Sequence, residues 1–540
     1  MRTIYIHGKV FTGVLPLQQA FTVEDGVFGD VGTDEEILAR KQPEDQVVSL
    51  EGSFVCPGFH DSHMHLLNYG SFLEQCDLSA CTGSLEDLQE GLKTFLRDRR
   101  LPKGTWLRGR GFNQDCFSPA GPIPTRFDLD KVTQEHPVCI VRCCGHCLVV
   151  NSLALELLGL SGNLPQPEGG CCDVDENGDL TGVFRDTAMS YVFTKLPRPS
   201  REDLKRMLRR ASRELNKRGI TACQSDDLCT FETIHWREVL EAYRELEEAG
   251  ELTLRVYQQS QLTTPADLQE FLDQGYRTGT GSDRFRIGPL KLLGDGSLGA
   301  RTAYLSQGYA DAPEERGIPI FSQEAFDEMI TLAHRNGMQI AIHAIGDGIL
   351  DRILASYRKA FAECPREDHR SGIVHVQLTR PDQLEAMKEL NLHAYAQTVF
   401  LDYDSHIVYQ RAGETLANSS YAFHTMKEMG LHVSNGTDCP VEHPDPMRGI
   451  QCAVTRQPLD GSLPPYRRSE AMSLEEALVS YTAESAWAAF RESHLGKIAP
   501  GMQADFAVLS ANPFEADPCK LSRITATATY LDGKRLWQKD

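Results

Sequence analysis

Residues 58–66 read GFHDSHMHL. Three histidines and an aspartate follow directly on the apolar run FVCP at 54–57. Such a segment can be a solvated loop, a core strand with stray histidines, or half of a metal site. On an extended strand, residues two apart share a face, so His63 and His65 point together while Met64 turns away. His60 lies an odd number of residues before His63, faces the other side, and reads as structural. If the segment is the first strand of a parallel barrel, its C-terminal end is where such folds carry their chemistry.

Working outward, the chain repeats helix, glycine and strand from residue 200. Ser200 is a candidate N-cap, Leu204, Met207, Leu208, Ala211 and Leu215 form a helical stripe, and Gly219 ends it before the strand ITACQSDD. Ser322 caps a second such helix, with Phe326, Met329, Ile330 and Ala333 on one face, Gly337 as its stop and MQIAIHAIGD after it. FVCPGFHDSHMH, ITACQSDD, LRVYQQS, RIGPLKLLGDG, QIAIHAIGD, GIVHVQL, HAYAQT and HVSNGTD make eight candidate strands. Alternating strands and helices predict an α/β fold, a (β/α)8 TIM-like barrel over 57–494. Roughly 150 residues separate the first two strands, too many for a loop, so 69–187 read as an inserted α/β subdomain. TIYIHGKVFTG and AFTVEDGVFGDVG at one end, and ADFAVLS and TATATYLDGKRLW at the other, predict a small β-sandwich domain from 1–56 and 495–540.

Composition limits the function classes. A net charge of -21 and a pI near 5.3 disfavour nucleic acid and anionic membranes as partners. No apolar run approaches the 18 or so residues of a spanning helix, and the N-terminus lacks the pattern of a signal peptide. The expected location is cytoplasmic, with the 16 cysteines reduced. Seven of them lie from Cys116 to Cys172. Cys144, Cys147 and the pair Cys171-Cys172 could form a zinc site, yet the second half lacks standard spacing, which favours buried thiols.

Polar residues interrupt the apolar strands at their ends: His63 and His65 on strand one, Lys291 on strand four, His343 on strand five, His375 on strand six and Asp438 on strand eight. Any one alone has an ordinary structural explanation. Buried polar groups need partners, and converging metal ions would satisfy all six.

These residues, with the motifs PGFHDSHMHL, KLLGDGSLGART, AIHAIGDG, IVHVQLTRP and GTDCPVEHPDP, resemble the amidohydrolase superfamily, in particular its N-substituted formamide deformylase-like branch, amidohydrolase family 3. WLRGRGFNQD, GHCLVVNSLAL and GKIAPGMQADFAVL extend the resemblance over essentially the whole chain. It implies two divalent ions, zinc first among the candidates, and no organic cofactor. His63 and His65 would hold the more buried ion and His343 and His375 the second, with an N-carboxylated Lys291 bridging them. Asp438 would bind the first ion and act as general base, and Asp61 would orient a ligand histidine. His146 and Asn151 are candidate substrate contacts because the matching segment tends to cap the pocket; Arg301 and Gln377 are further candidates. Cys143-Cys144 stands where the family often has Asp, and Asp186 where Glu is usual, departures that bear on substrate and leave the metal chemistry untouched.

The implied activity is metal-dependent hydrolysis of an amide-type C–N bond, N-acyl or N-formyl, other than a peptide bond, in a small molecule; a homodimer is the assembly that analogy suggests. The rival readings are a single-metal heterocycle deaminase and a catalytically silent regulatory protein on the same scaffold. Deaminases of this superfamily carry a Glu shortly after the strand-five histidine, where this chain has Ala-Ile-Gly-Asp. Without a carboxylated Lys291, a single ion would sit on His63, His65, His343 and Asp438, leaving His375 for substrate or hydroxide.

Overall fold

The computed structural model describes residues 2–81, 83–118, 121–143, 147–162, 164–167, 170–231 and 233–539. Eight strands form one parallel sheet in strict chain order: β1 Phe59–Met64, β2 Ile220–Ser225, β3 Arg255–Gln261, β4 Phe285–Leu293, β5 Ile340–Ala344, β6 Gly372–His375, β7 His393–Ala396 and β8 Val433–Asn435. The apolar runs explain why. Val256, Leu290, Leu292, Ile340, Ile342, Ile373, Val374, Ala394 and Val433 are all buried, as strands covered on both faces require.

The ring closes just beyond β8. The Asp438 N–H donates to the His63 carbonyl at 2.8 Å, and the His65 N–H to the Cys439 carbonyl at 2.8 Å. Gly436 permits this approach: a Cβ there would stand 2.5 Å from the His63 nitrogen and 2.8 Å from Asp61 Oδ1.

The connecting helices follow the sequence stripes. Helix α1, Arg201–Asn216, buries Leu204, Met207, Leu208, Ala211 and Leu215, and Gly219 leaves it at a φ of 79° that favours glycine. Helices α2 (Trp236–Glu248), α3 (Pro265–Asp273), α4 (Gln323–Arg335), α5 (Asp347–Glu363) and α6 (Pro381–Glu389) fall between successive strands. Ser322 caps α4 through the Ala325 N–H. No helix among the described residues is long and apolar enough to cross a membrane.

Both ends of the chain build two further sheets. Thr3–Ile6, Ala20–Glu24, Val27–Gly32 and Gln46–Ser49 form one; Lys9–Val10, Phe54–Pro57, Phe506–Leu509, Ala526–Leu531 and Lys534–Gln538 form the other. Their shared core centres on Phe506, whose ring lies 5.4 Å from Tyr5 and 5.2 Å from Phe21.

Residues Gly70–Ser200 are a compact unit of their own. A six-stranded mixed sheet runs in the order Gly170–Val174, Leu180–Asp186, Cys147–Val150, Val138–Arg142, Leu107–Phe112, Cys76–Asp77. The unit extends past 187, where sequence reasoning ends it, because Ala188, Met189 and Val192 pack into its core with Leu148 and Phe184. Among its cysteines, Cys171 is exposed and Cys172 buried, on opposite faces of one strand, and Cys144 lies outside the described residues.

Candidate metal centre

The C-terminal ends of the barrel strands bring His63, His65 and Asp438 together. One donor atom from each lies within 4.8 Å of the others. Asp438 Oδ1 stands 3.3 Å from His63 Nε2 and 3.1 Å from His65 Nε2. The rings of His63 and His375 are 5.5 Å apart, and those of His343 and His375 4.4 Å. Lys291 is fully buried on β4.

Hydrogen bonds on the far side of each ring set the tautomers. His65 Nδ1 lies 3.0 Å from the Asp226 carbonyl and His343 Nε2 3.0 Å from the Gly296 carbonyl. A carbonyl only accepts, so those nitrogens carry the protons. His63 Nδ1 meets Gln259 Oε1 at 2.6 Å, with the Gln259 amide oriented by the Ser62 carbonyl at 3.1 Å. His375 Nδ1 meets Gln397 Oε1 at 2.8 Å. The inward atoms are therefore Nε2 of His63, His65 and His375 and Nδ1 of His343. In neutral rings these are lone pairs, and two of them face a buried carboxylate. That arrangement calls for a cation.

The charge states agree. Burial pushes the His65 imidazole down, but its hydrogen bond to Asp438 outweighs this and raises it to about 9. Asp438 is held well below the usual carboxylate range, the burial penalty being overcome by His63 and His65. Burial keeps His63 and His375 low, hence neutral and available as ligands.

Two of these residues sit on left-handed backbone: His375 has a φ of 74° and Asp438 of 57°. Such conformations cost about 1–3 kcal/mol each and collect at functional sites. Asp61 acts on the backbone and not on an imidazole. Its carboxylate accepts the His63 N–H at 3.1 Å and the Thr437 hydroxyl at 2.5 Å, so it ties β1 to the segment carrying Asp438.

Three participants escaped the sequence reading: Gln259 and Gln397, which orient ligand histidines, and Asp226. Asp226 follows β2, is buried, and holds one carboxylate oxygen 3.5 Å from Lys291 Nζ. Among the described residues neither of its oxygens has a hydrogen-bond partner, and neither has Lys291 Nζ. The signal for all three was a polar residue at the end of an apolar strand, the same signal that marks the histidines.

Three of the remaining candidates have partners of their own. The Asn151 side chain caps the helix Ser152–Leu157 through the Ala154 N–H, accepts from the Val138 N–H and donates to the His136 carbonyl. Arg301 makes a two-pronged pair with Asp311, at 3.1 and 2.8 Å. Gln377 donates to Asp404 at 2.9 Å, which also accepts from the Tyr421 hydroxyl. His146 lies outside the described residues.

A family model described as the amidohydrolase family matches residues 46–536. The Bacillus subtilis (strain 168) protein YtcJ, named as an amidohydrolase, is 32% identical over 543 residues, covering 100% of both chains. The N-substituted formamide deformylase of Arthrobacter pascens is 26% identical over 529 residues, 95% of this chain and 94% of its own. A metal-dependent hydrolase from Pyrococcus furiosus, itself uncharacterized, superposes with a TM-score of 0.79 at 29% identity, covering 95% of this chain and 100% of its own.

Proposed function

We propose, from the premise that this chain belongs to the amidohydrolase family, that it is a metal-dependent hydrolase of an amide-type C–N bond, N-acyl or N-formyl, in a small molecule. The observation that carries this reading is the convergence of imidazole lone pairs on the Asp438 carboxylate. His63, His65 and Asp438 would hold one divalent ion; His343 and His375 would hold a second, with Lys291 as a carbamate between them. The buried Lys291 Nζ, 3.5 Å from Asp226 and without a hydrogen-bond partner among the described residues, fits a group completed by a further ligand. When bound, such ions supply Lewis-acid polarisation of a carbonyl and acidify water toward neutral pH.

The chain's own residues supply the rest. Asp438 Oδ1, aimed between His63 and His65, is placed to take the proton of the attacking water and pass it to the departing nitrogen. Gln259, Gln397 and the carbonyls of Asp226 and Gly296 hold the four rings in the tautomer that keeps lone pairs inward. Strand five offers no free acid for a deaminase-type proton shuttle. Asp347 accepts from the Ser306 N–H at 2.9 Å and pairs with Arg380 at 2.7 Å. The relation to the Arthrobacter deformylase supports formamides as the first compounds to assay.

The test is amine release from a panel of N-formyl and N-acyl amines, run beside aminated heterocycles, with wild type and Asp438→Asn. Amine release that the substitution abolishes is the expected result. Ammonia from heterocycles without amide cleavage contradicts it.

A further inference from the structure

At the opposite end of β1 from the ligands lies a small cleft of about 20 Å³, lined by His60, Arg255, Tyr257, Asp283, Arg286 and Arg491 among others. We propose that this cleft is a binding site for a small monovalent anion of halide size. The volume exceeds the roughly 10–15 Å³ that one water needs.

His60 is 4% exposed, and among the described residues neither of its ring nitrogens has a hydrogen-bond partner. Arg491 Nε is likewise buried without a partner. Unmatched donors of this kind are costly unless something fills the space between them.

Charge selects an anion over water. Asp283 is the one carboxylate lining the cleft, and two guanidiniums share it: Arg491 at 3.1 Å and Arg286 at 3.5 Å. Arg491 meets Asp283 through Nη2, which leaves its Nε without a hydrogen-bond partner among the described residues. Arg255 is already matched by Asp505 at 2.7 Å and by Asp532. One positive charge at the cleft is thus left over. Burial, and next the nearby Arg491 charge, push His60 down to about 3, so the ring is neutral and offers one N–H. An anion accepting from that N–H and from Arg491 satisfies both orphaned donors and the surplus charge. The site is independent of the hydrolytic reading, because no metal ligand lines it.

The test uses the whole protein in bromide. Crystals soaked in sodium bromide should show an anomalous peak between His60 and Arg491. In solution, the unfolding temperature should rise with chloride or bromide over gluconate at equal ionic strength, since an ion that binds the folded state stabilises it by mass action. Arg491→Met should remove that rise. Density for water alone under bromide, or equal unfolding temperatures in all three salts, overturns the proposal. Because the bromide map needs only wild type, a variant that fails to fold does not decide the matter.

Discussion

Asp438 is the residue on which the proposed chemistry turns. Asp438→Asn keeps the shape but removes the charge that both His63 and His65 face, and kcat should fall about 10²- to 10⁴-fold in steady-state amide hydrolysis. Gln259→Leu leaves all six candidate ligands in place yet frees the His63 ring, so metal affinity should fall about 10- to 100-fold in a chelator competition. Unchanged affinity would show that Gln259 does not orient His63. The histidines were legible in the sequence because imidazoles at successive strand ends are rare in ordinary cores. Gln259, Gln397 and Asp226 were not, since a single amide or acid has many structural uses, and only the fold shows which ring each one faces. The helix cap that Asn151 makes was hidden for a related reason: proximity to a family motif says nothing about which backbone groups a side chain meets.

At the scale of the element, the closure of the barrel places the centre. Asp438 reaches the histidines because its segment hydrogen-bonds to β1 across Gly436, with no room there for a side chain. Gly436→Ala should therefore part the strands, lowering the unfolding temperature and the metal content together; wild-type values for both would refute that role. The helices were readable from their 3.6-residue stripes and glycine stops, as α1 and α4 demonstrate. The end of the insertion was harder to place. Residues 187–200 have little periodicity, and what binds them to that unit is the tertiary burial of Ala188, Met189 and Val192.

Across the whole molecule, one buried cluster joins the β-sandwich to the barrel. Arg255, on β3, is 5% exposed and forms a two-pronged pair with Asp505, at 2.7 and 3.1 Å, beside Asp532. Asp505→Ala leaves a buried guanidinium half-matched, so stability should drop by about 3–5 kcal/mol in denaturant unfolding. A change under about 0.5 kcal/mol would mean that the cluster does not hold the two parts together. The coarse architecture was visible in residue patterns at both termini, while this pairing joins residues some 250 apart and leaves no local trace. The account as a whole rests on a metal centre at the strand ends. Its most direct test is metal content per chain, measured by elemental analysis on protein expressed with zinc and bicarbonate and desalted without chelator. About two ions per chain, falling sharply in His63→Ala, is the result predicted; amide hydrolysis by protein that carries no metal would contradict it.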